Sequence, residues 1–260
     1  MSDMTYSSYL KLDQLLNAQH VRSDPPEHDE MLFIILHQTY ELWFKELLHE
    51  LDRIKILFSS NDLFGSIHLF KRVRMILKTL VGQLDILETM TPLSFSSFRD
   101  RLDTASGFQS VQFRQLEFVL GYKRAEMMRF LKPEFYGYDR LKRRLEEPSL
   151  IHHFYELLEH RGETIPAYLR GNPSAPNRAN AQVQEALLRL YKESPELAIL
   201  FEMMTDVDEG MQEWRYRHVK IVERTIGSKQ GTGGSPGVEF LKKTLFNPIF
   251  PDLWAIRHSM

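Results

Sequence analysis

Two histidines stand where the surrounding pattern calls for apolar side chains. His218 falls between Trp214 and Ile221 on a stripe that also holds Leu197, Leu200, Met204, Val207, Met211 and Thr225, spaced 3 and 4 throughout. His37 lies four residues after Phe33 and seven before Phe44 on another helical pattern. Burying an imidazole without partners costs about 1 to 3 kcal/mol, so something should bond each ring. Core histidines held by backbone or side chains meet that need with no chemistry at all. A direct metal site is disfavoured, because neither H-E-x-x-H nor the paired Glu-x-x-His helices of di-iron bundles occur. A haem pocket is the third solution: it asks for one protein ligand, usually histidine, and an apolar slot between helices, leaving the other histidine to act on substrate or oxygen.

Arg99, in "SSFRDRLDTASGFQS", offers a parallel choice. It is either a solvated charge, the usual fate of arginine, or a planar fork that grips a carboxylate at two points. The stretch "RHVKIVERTIGSKQGTGGSPGVEFL", residues 217–241, passes from a helical pattern into a segment with five glycines. Glycine-rich segments often cradle phosphate. Here no strand precedes and no lysine stands as in GxxxxGK[ST], so neither a P-loop nor a dinucleotide fingerprint fits.

These residues need a scaffold, and the hydrophobic period supplies it. After an N-terminal arm, residues 1–24, and the breaker "SDPPEHDE", residues 31–58 place Phe33, Leu36, Tyr40, Trp43, Leu47, Leu51 and Ile54 at helical spacing. A second helix runs over 66–90, with Leu69, Val73, Ile76, Leu80 and Leu84 on one stripe. A third covers 108–120, with a continuation to Phe130 left open. The last long helix starts at Ser194 and Pro195, an N-cap and first-turn proline, and fades at Gly227. Between the third and last long helices, 133–195 is a less regular helical excursion punctuated by Pro133, Pro148, Pro166, Pro173 and Pro176. No β-alternation or internal repeat appears, so the pattern predicts one all-α helical bundle domain over 1–260.

Composition narrows the function. At 43% hydrophobic and 12% aromatic residues the chain can bury a large core. A formal charge of -2 gives no electrostatic case for nucleic acid or an anionic membrane. The absence of cysteine excludes disulfides, thiolate nucleophiles, Cys-ligated zinc and Cys-ligated iron–sulfur clusters. The start, "MSDMTYSSYLKLDQ", has no apolar signal region, and the run "MLFIIL" is far short of the roughly 20 residues of a membrane span. The expected location is cytoplasmic.

The segments "YLKLDQLLNAQ", "HDEMLFIILHQTYELWFKELLHEL", "FRDRLDTASGFQSVQFRQLEF", "WRYRHVKIVERTIGSKQGTGGSPGVEFL" and "FPDLW" together resemble the tryptophan 2,3-dioxygenase family, in family order along the chain. Residues 133–195 resemble it less clearly. The resemblance implies a helical bundle enclosing a haem pocket, with one haem b per subunit. It implies insertion of both atoms of O2 into the indole of L-tryptophan, opening the C2–C3 bond to give N-formylkynurenine, the first step of the kynurenine route. By the same resemblance His218, in "WRYRH", is the axial iron ligand, and His37, in "HQTYELW", hydrogen-bonds the indole N–H. Arg99, in "FRD", binds the substrate carboxylate, and Thr232, in "GTGGS", contacts the amino acid end. Phe33 and Phe95 line the substrate site, and Ser106 is a polar residue near haem and substrate. Tyr6, Tyr9 and Leu10 match an arm that reaches the pocket of a neighbouring subunit in a homotetramer. Phe95 and Phe113 stand where some members have tyrosine, which removes two hydroxyls. On this reading the glycine segment is a lid over an amino acid and a haem edge, with a plain connection as the alternative. A wider-ranging enzyme similar to indoleamine 2,3-dioxygenase and a non-catalytic haem or tryptophan sensor are the rival functions.

Overall fold

A computed structural model describes residues 3–232 and 237–260. Among these the chain is helical, without strands: α1 (Tyr6–Leu10), α2 (Leu12–Leu15), α3 (His28–Ser59), α4 (Leu63–Leu87), α5 (Pro92–Arg99), α6 (Val111–Val119), α7 (Tyr138–Glu146), α8 (Leu150–His160), α9 (Ala181–Glu193), α10 (Pro195–Ile226), α11 (Val238–Lys242) and α12 (Pro251–Ala255). The fold is all-α, as the periodicity predicts.

The frame is α3, α4 and α10. Leu69, Val73, Ile76, Leu80 and Leu84 of α4 are all buried, and this helix packs on both α3 and α10. Apolar residues at 3 and 4 spacing give a helix a single stripe, and burying that stripe, at about 25 cal/mol per Å² of apolar surface, is what makes the rods pack. A cluster of phenylalanines ties in α8: Phe58 lies 5.7 Å from Phe154, which lies 5.9 Å from Phe201. Ser194 takes the N-cap position of α10 with Pro195 in its first turn, and Gly227 ends the helix at φ 59°.

Three differences from the sequence reading have physical causes. The third helix does not begin at 108 or run to Phe130. Residues Gly107–Gln109 form a single 3-10 turn, Ser110 caps α6 by accepting from the Phe113 N–H at 3.2 Å, and the helix stops before Gly121, whose φ of 93° no helix continues through. Residues Ala125–Phe130 form a separate 3-10 stretch. Second, residues 92–99 form α5, with the Thr91 hydroxyl accepting from the Ser94 N–H at 3.1 Å and Pro92 in the first turn. Third, much of the 133–195 excursion is core: Leu150, Phe154 and Leu157 of α8 and Val183 and Leu187 of α9 belong to the main hydrophobic cluster.

The C-terminal segment is fastened by a buried carboxylate. Asp208 Oδ2 accepts from the Ile249 N–H, the Phe250 N–H and the Trp254 indole N–H, each at 2.9 Å. Charge-assisted bonds of this kind are about twice as strong as neutral ones. They hold the end of the chain against α10.

Candidate active site

A cavity opens where α3, α5, α6 and α10 meet the segment after α10. Its atom-free space, open solvent at the mouth included, is about 1650 Å³. His37 and His218 both line it, from α3 and α10 respectively. So do Phe33, Phe95, Arg99, Ser106, Phe113 and Thr232, residues spread over two hundred positions of sequence. The structure brings these residues to one void. It does not bring Tyr6, Tyr9 or Leu10 there. They are 76%, 72% and 40% exposed, and α1 buries no residue at all.

His37 is set as a hydrogen-bond acceptor. Its Nδ1 lies 2.7 Å from the Phe33 carbonyl oxygen, one helical turn back. A carbonyl only accepts, so Nδ1 carries the proton and Nε2 is left with its lone pair. Desolvation lowers the pKa of the ring; the Phe33 bond and the nearby Glu41 charge oppose this without cancelling it. The imidazole is therefore neutral at pH 7. The free surface of the residue faces the cavity, beside the Phe33 ring at 4.1 Å. Phe33 in turn stands 5.7 Å from Phe95 and 5.6 Å from Phe98, which makes an aromatic wall.

His218 stacks on Trp214, ring centroids 5.1 Å apart and planes within 5°. It makes no hydrogen bond among the described residues. Burial, with lesser contributions from His37 and Arg114, lowers its pKa to about 4. A neutral imidazole with no partner is a Lewis base without an acid. No group of three or more His, Asp or Glu able to hold an ion occurs among the described residues. A bare metal ion therefore lacks a ligand set here, whereas haem iron, which brings four of its own nitrogens, needs only the one ring that His218 offers. The donor set fits haem.

Arg99 projects from the last turn of α5 and lines the cavity, half-buried. Its Nη2 donates to the Gln230 carbonyl at 2.7 Å, and its Nε is buried with no partner. The Thr232 hydroxyl donates to the Ala105 carbonyl. These two bonds seat the start of the glycine segment on the loop after α5. Gly231, Thr232 and Gly237 line the cavity, and a Cβ at Gly237 (φ 68°) would stand 2.8 Å from the Lys229 carbonyl. Only glycine fits there. Gly233, Gly234 and the rest of 233–236 lie outside the described residues. Ser106 caps the turn at Gly107–Gln109 by accepting from the Phe108 N–H, with its side chain beside the void. Phe113 sits 4.9 Å from Trp214.

Sequence reasoning missed the charged part of the lining: Glu41, Arg114, Glu117, Arg124 and Arg215. Arg215 carried a usable signal, since it is three residues before His218 and so shares its helix face. Glu41, four residues after His37 on α3, carried the same signal, and the other three carried none.

The arrangement defines a class: an all-α protein whose bundle keeps a cavity with an unbonded histidine on one helix and, on another, a histidine held through Nδ1 with Nε2 left free. Residues 1–166 and 176–260 match the family model for tryptophan 2,3-dioxygenase. The tryptophan 2,3-dioxygenase of Herpetosiphon aurantiacus is 51% identical over 99% of this chain and 98% of its own. That of Anaeromyxobacter dehalogenans is 48% identical over 99% and 96%, and that of Saccharopolyspora erythraea 40% over 98% and 92%. The chain belongs to the tryptophan 2,3-dioxygenase family.

Proposed function

We infer that the protein is a haem-dependent dioxygenase that opens the indole ring of L-tryptophan with O2 to give N-formylkynurenine, the first step of tryptophan catabolism by the kynurenine route. The observation that carries this reading is the pair of neutral histidines on one cavity, of which only His37 is bonded. His218 would hold the iron of one haem b per subunit. When bound, haem supplies the oxygen chemistry.

The chain's own residues bind and orient. The free Nε2 of His37 accepts the indole N–H, which fixes the ring against Phe33 and Phe95. An indole N–H is a very weak acid, so His37 orients and need not remove a proton. Arg99 takes the substrate carboxylate in place of the Gln230 carbonyl, and Thr232 meets the amino acid end. Ser106 stands by as a polar neighbour. Gly231, Thr232 and Gly237, which line the cavity, help to exclude water from it. The whole chain, 1–260, acts as one catalytic domain.

The test is direct. Haem-loaded ferrous protein given O2 and L-tryptophan should release N-formylkynurenine, followed by its absorbance. A protein that stays colourless after haem supplementation defeats the reading. His37→Ala should keep its haem and lose about two- to twelvefold in kcat/KM, the worth of one net hydrogen bond of about 0.5 to 1.5 kcal/mol. Loss of haem in that variant would mean the two histidines exchange roles.

The exposed arm motivates a second proposal. Helices of five and four residues with no buried side chain cannot hold themselves together. The aromatic surface of Tyr6 and Tyr9 needs a partner, and a neighbouring subunit of a homotetramer supplies it, with Leu10 completing the cover over that subunit's cavity. Deleting residues 1–10 should leave helical content and most haem binding intact while turnover falls sharply. Mixing the deletion variant with full-length Arg99→Ala chains under subunit exchange should restore some activity. An active monomer, or confirmed exchange without recovery, would rule the shared site out.

A further inference from the structure

We propose that Trp214 is a positioning residue for the axial histidine: by stacking, it fixes the plane of the His218 ring, a task that a hydrogen bond performs for most metal-bound histidines. The proposal rests on the haem reading above. A histidine that ligates a metal almost always donates its other ring N–H to a carboxylate, a carbonyl or a water, and that bond sets the direction of the ring. Among the described residues no such partner reaches His218, and burial rather than any bond dominates its surroundings. The last torsion of an imidazole is broad and two-fold. Without a constraint the ring would swing about its Cβ–Cγ bond.

Trp214 supplies the constraint. It stands one turn before His218 on α10, at the spacing where helical side chains meet. The two ring centroids are 5.1 Å apart and the planes agree within 5°, an offset stack. Any swing of the imidazole breaks that face contact. The indole in turn has no room to follow, being only 8% exposed. Phe113 of α6 lies 4.9 Å from it, and Tyr40 and Phe44 of α3 meet it edge to face at 6.3 and 6.2 Å. Tyr40 is itself pinned, its hydroxyl donating to the Leu80 carbonyl of α4 at 2.7 Å. The indole Nε1, near that hydroxyl, is buried without a partner in bonding geometry, so ring packing holds Trp214 in place. Side chains of α3 and α6 thus reach the imidazole only through this one indole. Phe113, which brings no hydroxyl to the site, brings a ring to the back of the stack.

The experiment compares the ferric cyanide adducts of wild-type, Trp214→Phe and Trp214→Leu holoproteins by electron paramagnetic resonance, in which one fixed imidazole plane gives one sharp set of g values and a spread of planes broadens them. The wild type should show one sharp set. Trp214→Leu should keep its haem and helical content, show shifted and broadened g values, and lose haem to excess apomyoglobin about two- to twelvefold faster, the step that an aromatic pair is worth. Trp214→Phe keeps a face to stack on and should return to one sharp set. A leucine variant with the sharp wild-type values overturns the proposal and leaves the ring to another constraint, such as a water on its unbonded nitrogen. Equal broadening in the phenylalanine and leucine variants overturns it too, because Trp214 would then only fill space. Should Trp214→Leu fail to fold, Phe113→Leu carries the test, since the ring contacts of Phe113 are with Phe44 and Trp214. Broadened g values are expected there, and unchanged ones overturn the proposal. Failure of the wild type to take up haem defeats the functional reading itself, a result distinct from a holoprotein whose g values ignore Trp214.

Discussion

His218→Ala should abolish stable haem binding, reducing haem per chain to background while helical content is retained. The substitution removes the one neutral, unbonded imidazole on the cavity. No second histidine can take over from the same helix, because His218 is the sole histidine of α10. His37 is across the void, with Nδ1 committed to the Phe33 carbonyl. The alanine leaves a gap beside Trp214, whose ring lies flat on the imidazole, so added imidazole should enter it and restore part of the haem occupancy and the ligand-field spectrum. Rescue of that kind separates a lost ligand from a damaged fold. Normal haem content with an unchanged spectrum would show that the iron is held elsewhere.

Arg99→Lys should cut kcat/KM for L-tryptophan by about 10- to 150-fold, the range expected when hydrogen bonds to a charged group worth about 1.5 to 3 kcal/mol are lost. Lysine keeps the charge but gives up the fork. The same variant should change reaction of an indole lacking the carboxylate by less than about threefold, if such a compound is turned over. Arg99 also anchors the segment after α10 through the Gln230 carbonyl. A loss of equal size for both substrates would therefore place its importance in seating that segment or supporting haem rather than in gripping the amino acid.

The parts of the fold legible in sequence were those with uninterrupted stripes. Residues 31–58 and 66–90 are read as helices and the structure has them at His28–Ser59 and Leu63–Leu87. Long rods average over local exceptions, so their periods survive a glycine or a histidine. α5 failed the same test for want of length: eight residues hold two turns, and Phe95 and Phe98 alone do not establish a period. Yet Thr91 and Pro92 announced its start, and this short helix carries both Phe95 and Arg99 to the cavity.

The site divides along similar lines. His37 and His218 were conspicuous because each interrupts an apolar stripe, and physical chemistry asks why. Arg114, Glu117 and Arg124 were invisible because charged residues in a short amphipathic stretch are nearly always solvated. Their burial follows from how α6 and the segment after it are set by the packing of α6 on α3 and α7, a tertiary fact that no local pattern encodes. Which atoms the glycine segment meets was equally hidden: Thr232 bonds the Ala105 carbonyl 127 positions earlier.

The Asp208 fastening sets an order of events during synthesis. The carboxylate lies in the inward face of α10, with no solvent access, and three of its donors belong to residues 249, 250 and 254 of a 260-residue chain. Until those residues leave the ribosome, that face of α10 would have to bury an unsatisfied negative charge, so the helix cannot settle fully into the bundle. The stretch 249–254, which emerges after α10, is thus a late licence for packing the rod that also carries His218. Nascent chains truncated ahead of residue 249 should remain looser along α10 than their complete helical sequence suggests.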